Sequence, residues 1–158
     1  MTFVAFKRQM DANSMIGVAS FWEDVRVLHL PVRSHKDEVD LDKVLAQDLP
    51  EKGLYMKCDR LKVLDRPADG KPNKQMEGFG RVSVLGRDFS ATSDSVTYNQ
   101  AKDQIIFTGS ETGPAQLKKF NRPGEAGETV TAKRIIYWRA TRTIKTEDTA
   151  GISGTSSN

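Results

Sequence analysis

A single cysteine, Cys58, is all that this chain of 158 residues holds, which excludes an internal disulfide and any metal site made of several thiolates. Apolar residues reach only 37% and mean hydropathy is −0.52, too little for a thick globular interior. The Val, Ile and Phe residues are nevertheless too many for a disordered chain, so a thin, folded sheet suits the composition best. No charge sign dominates. The 24 Lys and Arg residues stand against 21 Asp and Glu, a net of +3, and the basic residues are scattered along the sequence instead of forming the stripe that marks a nucleic-acid binder. No nucleic-acid partner is therefore expected. Runs of apolar residues long enough to cross a membrane as a helix are missing. The opening from Met1 to Met10 also lacks the basic, apolar and small-residue succession of a signal peptide. Either the chain is cytosolic or its targeting segment lies outside this sequence.

Motifs for catalysis are missing too. There is no Gly-x-Ser-x-Gly and no Gly-Lys-Ser/Thr phosphate loop, and Gly78 and Gly80 fall short of a dinucleotide fingerprint. His29 and His35 flank Pro31 with no further ligand at metal-binding spacing, and no pair of carboxylates is singled out by its spacing. The expectation is a protein that is not an enzyme and takes no metal or cofactor.

What is present is alternation. Val25-Arg-Val27, Met56-Lys-Cys58, Leu61-Lys-Val63, Val82-Ser-Val84, Val96-Thr-Tyr98 and Ile135-Ile-Tyr137 have the period of half-buried strands. Turn-forming clusters separate them at 66–72, 85–88, 99–103, 109–114 and 122–127. Closely spaced strands joined this way predict an all-β, antiparallel architecture. At this length one core is the default, burying close to about 70% of the surface of the unfolded chain. A segment over 34–49 breaks the alternation and reads as an insertion loop, with about two turns of helix over Asp40–Asp48 presenting Leu41, Val44 and Leu45. Residues 1–15 are expected to be loosely held, 16–147 to form the single β domain, and 148–158 to be a disordered tail.

Three segments repeat one pattern without a gap: Met56 to Val63, Ala91 to Tyr98 and Val130 to Tyr137. Each reads apolar, any, small, polar, polar, apolar, any, then Val or Tyr. Cys58 falls where the other copies carry Ser93 and Ala132, so it reads as a small packing residue. The two apolar pairs of each unit are out of phase, and a straight strand would send them to opposite faces. A kink or bulge near Asp59, Asp94 and Lys133 would return both pairs to one side. A shorter pattern relates Trp22-Glu-Asp-Val25-Arg-Val27 to Phe79-Gly-Arg-Val82-Ser-Val84.

The succession of a small-polar strand ending in Val-Thr-Tyr (Ala91 to Tyr98), a polar turn (Asn99 to Asp103), an apolar strand closing on Gly (Gln104 to Gly109) and Ala-x-Leu (Ala115 to Leu117) resembles the OstA-like, LptA-like repeat. That repeat is found in periplasmic lipopolysaccharide-transport bridge proteins, and the resemblance covers roughly residues 16–147. It departs from the pattern at Asp24, where a Gly would precede the Val-x-Val, and in the two long loops. The resemblance implies a V-shaped jelly-roll, or β-taco, whose facing sheets hold a hydrophobic groove for acyl chains. It also implies a periplasmic or cell-envelope location and sheet edges that join further OstA-like domains, copies of itself among them, by strand addition.

Under that resemblance the groove lining comprises Val25, Val27, Met56, Leu61, Val63, Val82, Val84, Phe89, Val96, Tyr98, Ile105, Phe107, Leu117, Ile135 and Tyr137. Phe79 belongs to the same alternation. The same residues also read as an ordinary packed core, and the two readings are compatible, because the closed end of a slot is core. Tyr98, Tyr137 and Trp138 sit at unit ends, where an aromatic closes a sheet or lines a mouth. The densest basic stretch, Lys118, Lys119, Arg122, Lys133 and Arg134 with Arg139 and Arg142 beyond it, reads as a solvated face or as a rim for anionic head groups. Binding or conveying a lipid or glycolipid is the leading reading. A structural module that pairs edge to edge without lipid is the alternative, and a carbohydrate- or nucleic-acid-binding domain using Trp22, Tyr137 and Trp138 is a third.

Overall fold

The computed structural model describes residues 2–30, 41, 43–65, 73–110, 112–122, 125 and 127–148. It contains eleven antiparallel strands in one sheet that does not close. These are β1 (Thr2–Ala5), β2 (Gln9–Asn13), β3 (Val18–His29), β4 (Leu54–Asp65), β5 (Lys74–Gly86), β6 (Phe89–Asn99), β7 (Gln104–Thr108), β8 (Ala115–Lys119), β9 (Thr129–Ala132), β10 (Arg134–Trp138) and β11 (Thr143–Glu147). The main path runs β1-β3-β4-β5-β6-β7-β10-β11, with β2 added to β3 and with β8 joining β6 to β9.

Four long strands, β3 to β6, carry the architecture, and each is bent near its middle. Glu23 and Asp24 of β3 stand together opposite Asp59 of β4, and Gly80 and Arg81 of β5 stand opposite Asp94 of β6. All four doubled residues have left-handed backbone, with φ of 68° and 48° at Glu23 and Asp24 and of 75° and 44° at Gly80 and Arg81. Each extra residue shifts the pleat by one, so the apolar pairs on either side of the bend face the same way. Between β9 and β10 the same bend is a full break at Lys133.

The bends fold the sheet into a V. One arm holds β1, β8, β9 and the halves of β3 to β6 that contain Val25, Met56, Val84 and Phe89. The other arm holds β2, β7, β10, β11 and the halves that contain Phe21, Leu61, Met76 and Tyr98. Side chains meet across the V, as when the ring of Tyr137 lies 4.9 Å from that of Phe89, and that of His29 lies 6.2 Å from that of Tyr98. The all-β, antiparallel expectation and the jelly-roll shape implied by the resemblance are therefore what the structure has.

Several local expectations come out differently. Residues 2–5 and 9–13, expected to be loosely held, are strands paired in register along β3. The helix expected over Asp40–Asp48 is only a 3-10 turn, Ala46–Asp48. Leu41 and Val44 do pack, against a small second cluster of Leu28, Leu49 and Tyr55, whereas Leu45 is exposed. The rest of the proposed insertion, the loop at 66–72 and the tail beyond residue 148 lie outside the described residues.

Candidate functional site

Of the fifteen residues expected to line a groove, fourteen are buried in a single cluster between the arms, and Val63 is partly buried against it. Leu61, Ile105, Phe107, Leu117 and Ile135 are at 0% exposure. Each fully buried side chain of this kind contributes roughly 1.5–3 kcal/mol, so this interior stabilises the V and is filled along the middle of the cleft. Phe79 is not part of it. The doubled pair Gly80-Arg81 leaves Gly78 on the inner face and turns Phe79 outward, where the Arg60 guanidinium lies 4.9 Å from its ring.

The cleft opens at the end formed by β1 and β2. There a cavity of about 170 Å³ lies between Thr2, Val4 and His29 on one arm and Ala19, Phe21, Val63, Met76 and Tyr98 on the other. Its wall is almost wholly apolar. That volume is below the roughly 300–1,000 Å³ of pockets that engulf a drug-sized ligand, so it suits a stretch of alkyl chain and not a whole lipid. Val4, Ala19, Phe21 and Met76 were not foreseen, although the alternation Ala19-x-Phe21 ahead of the bend carried the signal for two of them.

His29 sits at the mouth, where its Nδ1 lies 2.9 Å from the Thr2 hydroxyl. Burial, aided by the positive charges of Arg139 and Lys74, pushes its pKa down to about 4, so the ring is neutral near pH 7. Tyr98 and Tyr137 are likewise held in their neutral forms by burial, Tyr137 being pushed up to about 12 with Asp88 adding to the effect. The Cys58 thiol, buried behind the bend, is pushed up to about 11 by desolvation. None of these groups is poised for acid-base or nucleophilic chemistry at neutral pH. Among the described residues no three metal-ligating side chains gather, and no helix is long and apolar enough to cross a membrane.

Two polar depressions flank the apolar cleft. The larger, about 750 Å³, runs along the outside of the bends between Lys7, Trp22, Asp24, Lys57, Asp59 and Arg81. Two ion pairs close within it, Lys7 to Asp24 at 2.7 Å and Arg81 to Asp59 at 2.6 Å. The bonds from Lys7 and then Arg26 hold the Asp24 carboxyl below the usual carboxylate range. The second depression, about 500 Å³, lies at the opposite lip of the V under the turn between β10 and β11, bounded by Arg139 and Arg142.

The expected basic rim is divided by the fold. Lys119 is at the lip, donating from Nζ to the Arg142 carbonyl at 3.2 Å, and Arg122 lines the second depression. Lys118 lies 5.8 Å from the Phe120 ring. Lys133 and Arg134 stand at the bend instead, because the chain turns there from one arm to the other, and Arg134 pairs with Glu147 at 3.0 Å. Lys52 and Arg87, which the sequence did not single out, join Arg122 at the lip.

No family model matches the sequence, and no curated protein does. Among solved structures, the fold is similar to the crystal structure of LptH, the LptA-homologous periplasmic component of the conserved lipopolysaccharide transport device from Pseudomonas aeruginosa. The TM-score is 0.62 at 12% identity, over 100% of this chain and 90% of that one. At that identity the likeness is one of fold.

Proposed function

We propose that this chain is a non-enzymatic cell-envelope module, periplasmic in setting, that binds or conveys the acyl part of a lipid or lipopolysaccharide-type glycolipid along the cleft of the V. The observation that carries this reading is the continuous apolar interior that reaches the surface at one end, between His29 and Met76, in a fold shared with a lipopolysaccharide-transport component. The mechanism is passive. Each methylene that leaves water for the cleft contributes about 0.8 kcal/mol, the polar head stays outside, and a neighbouring domain extends the path. Neutral His29 and the apolar wall favour an uncharged chain at the mouth. Thirteen of the fifteen residues named from the sequence then form the floor and closed end of the slot, and Val63 and Tyr98 join Val4, Ala19, Phe21 and Met76 at its open end.

Native mass spectrometry after incubation with phospholipid and with lipopolysaccharide tests the reading. An Ala19→Trp variant fills the cavity from a partly exposed position. Retention of lipid by the wild type and its loss by the variant, at unchanged circular dichroism, is the expected result. Well-folded wild type that retains neither lipid overturns it.

A second reading rests on a different observation. The interior is filled along most of its length, as a module needs if it assembles edge to edge and carries nothing. Its partners would be other domains of the same kind, including copies of itself. It predicts association that is indifferent to lipid, measurable by sedimentation with and without added lipopolysaccharide.

A further inference from the structure

The depression under the turn between β10 and β11 carries an excess of positive charge. Lys52, Arg87, Arg122, Arg139 and Arg142 bring five cations to it, and Glu51, Asp88 and Asp103 bring three carboxylates. Two of those carboxylates are already matched, since Arg142 Nε lies 2.9 Å from Asp88 and Arg139 Nε lies 3.7 Å from Asp103. Lys52, Arg87 and Arg122 remain against Glu51. Arg122 reaches only Glu125, at 3.9 Å and from a side chain that is 82% exposed, a pairing that contributes little. Arg87 is exposed and has no ion-pair partner among the described residues.

Arg139 adds a second, independent observation. Its side chain is only 8% exposed, and its guanidinium lies beside the Tyr98 ring. One terminal nitrogen donates to the Lys52 carbonyl at 2.6 Å. The other, Nη1, is buried with no hydrogen-bond partner. A buried guanidinium that cannot lose its proton and keeps a donor unmatched costs stability unless something accepts that hydrogen bond. Two planar donor forks held by loops of both arms, with exposed cations around them, fit a multi-oxygen anion much better than chloride. The cavity of about 500 Å³ is also larger than a bare ion requires. Asn121 and the carboxylate of Glu51 in its wall are acceptors or donors suited to hydroxyl groups.

We propose that this depression is a binding site for a phosphate-bearing group, with Arg139 and Arg142 as its fixed floor and Arg87, Arg122 and Lys52 as its mobile rim. The site stands whether or not the cleft carries an acyl chain. The phosphate belongs either to a lipid head group, whose chains then point toward the apolar interior, or to a soluble phosphorylated molecule.

The test uses the full chain labelled with nitrogen-15, following the arginine Nε–Hε resonances at constant ionic strength. Inorganic phosphate, a short-chain phosphatidic acid and a short-chain phosphatidylcholine are titrated in parallel, with chloride as the reference. Saturable shifts at Arg139 and Arg142 with phosphate, weakened at least about tenfold in the exposed-site double variant Arg87→Gln/Arg122→Gln, are expected. That variant leaves the buried Arg139 and the half-exposed Arg142 in place, and its core amide spectrum reports whether the fold is kept. Tighter binding of phosphatidic acid than of phosphate identifies a head group as the source, and equal binding identifies a soluble phosphate compound. Shifts that do not saturate, or that chloride reproduces, or that the double variant leaves unchanged, overturn the site. Phosphatidylcholine retention without phosphate binding would overturn it too while leaving the acyl-chain reading intact.

Discussion

His29 shows how one side chain ties the mouth of the cleft to stability. Its folded pKa of about 4 lies below its ordinary value of 6.5, through burial first and neighbouring positive charge second. The unfolded chain therefore takes up the proton at a higher pH than the folded chain. The stabilisation is complete above about pH 6.5, declines as pH falls toward about 4, and levels off below that. A shift of this size corresponds to about 3 kcal/mol, but the ring is only partly buried, so about 1–2 kcal/mol is expected after solvent screening. Urea unfolding at pH 7 and pH 4.5 should show this loss in the wild type, and His29→Gln should remove most of it. An equal loss in both proteins would place the pH dependence elsewhere, among the carboxylates. Nothing in the sequence around His29 separates it from His35. Its character comes from Thr2 and Tyr98, strands far away in the chain that the fold brings to it.

The bent strand is the element from which the molecule is built, and it was legible. The odd interval between Cys58 and Leu61, repeated between Ser93 and Val96 and between Ala132 and Ile135, required a change of pleat, and the structure has one at each place. Which strand holds the extra residue was not legible from the repeat itself. It falls on β3 and β5, at Glu23-Asp24 and Gly80-Arg81, and Asp59 and Asp94 are the single residues opposite. The match between Trp22 and Phe79 carried that information, because both precede a doubled pair and both turn outward. Only one of the four doubled residues is a glycine. A Cβ at Gly80, where φ is 75°, would come within 2.5 Å of the Asp59 carboxylate, and left-handed backbone costs a residue with a side chain roughly 1–2 kcal/mol. Gly80→Ala should therefore lower stability by about 1–3 kcal/mol, read from the denaturant midpoint. Gly113, where a Cβ would make only an ordinary contact with the Ser110 hydroxyl at 3.4 Å, serves as the control, and Gly113→Ala should move the midpoint by no more than about 0.5 kcal/mol. Equal effects at the two sites would mean that the bend is not strained.

At the scale of the whole molecule the V has two unlike ends. β1 and β2 form one, β9 and β11 the other, and among the described residues none of these four strands has a partner on its outer side. Unpaired edges are templates for another chain unless charge, proline or a bulge protects them. β9 and β11 carry four threonines between them, with Lys145 and Glu147 on β11, and Arg134 pairs with Glu147 there. The β1 and β2 end is the apolar one, since Phe3, Phe6, Met10, Met15 and Ile16 supply five of the six exposed large hydrophobic side chains among the described residues. This asymmetry was hidden from the sequence reading. The first fifteen residues have short strands whose pairing partner is β3, and their weak alternation looks like a loose terminus when seen alone. Adding a strand from another chain at the apolar edge takes its exposed side chains out of water, so this end favours association. Sedimentation velocity over a range of concentrations should show species larger than the monomer. The double substitution Phe3→Lys/Met10→Lys, placed on exposed positions that the core does not use, should return the protein to a monomer with its thermal midpoint within a few degrees of wild type. A wild type that stays monomeric at the highest concentration would mean that the apolar edge meets a different partner. A variant that still associates would move the contact to the β9 and β11 edge.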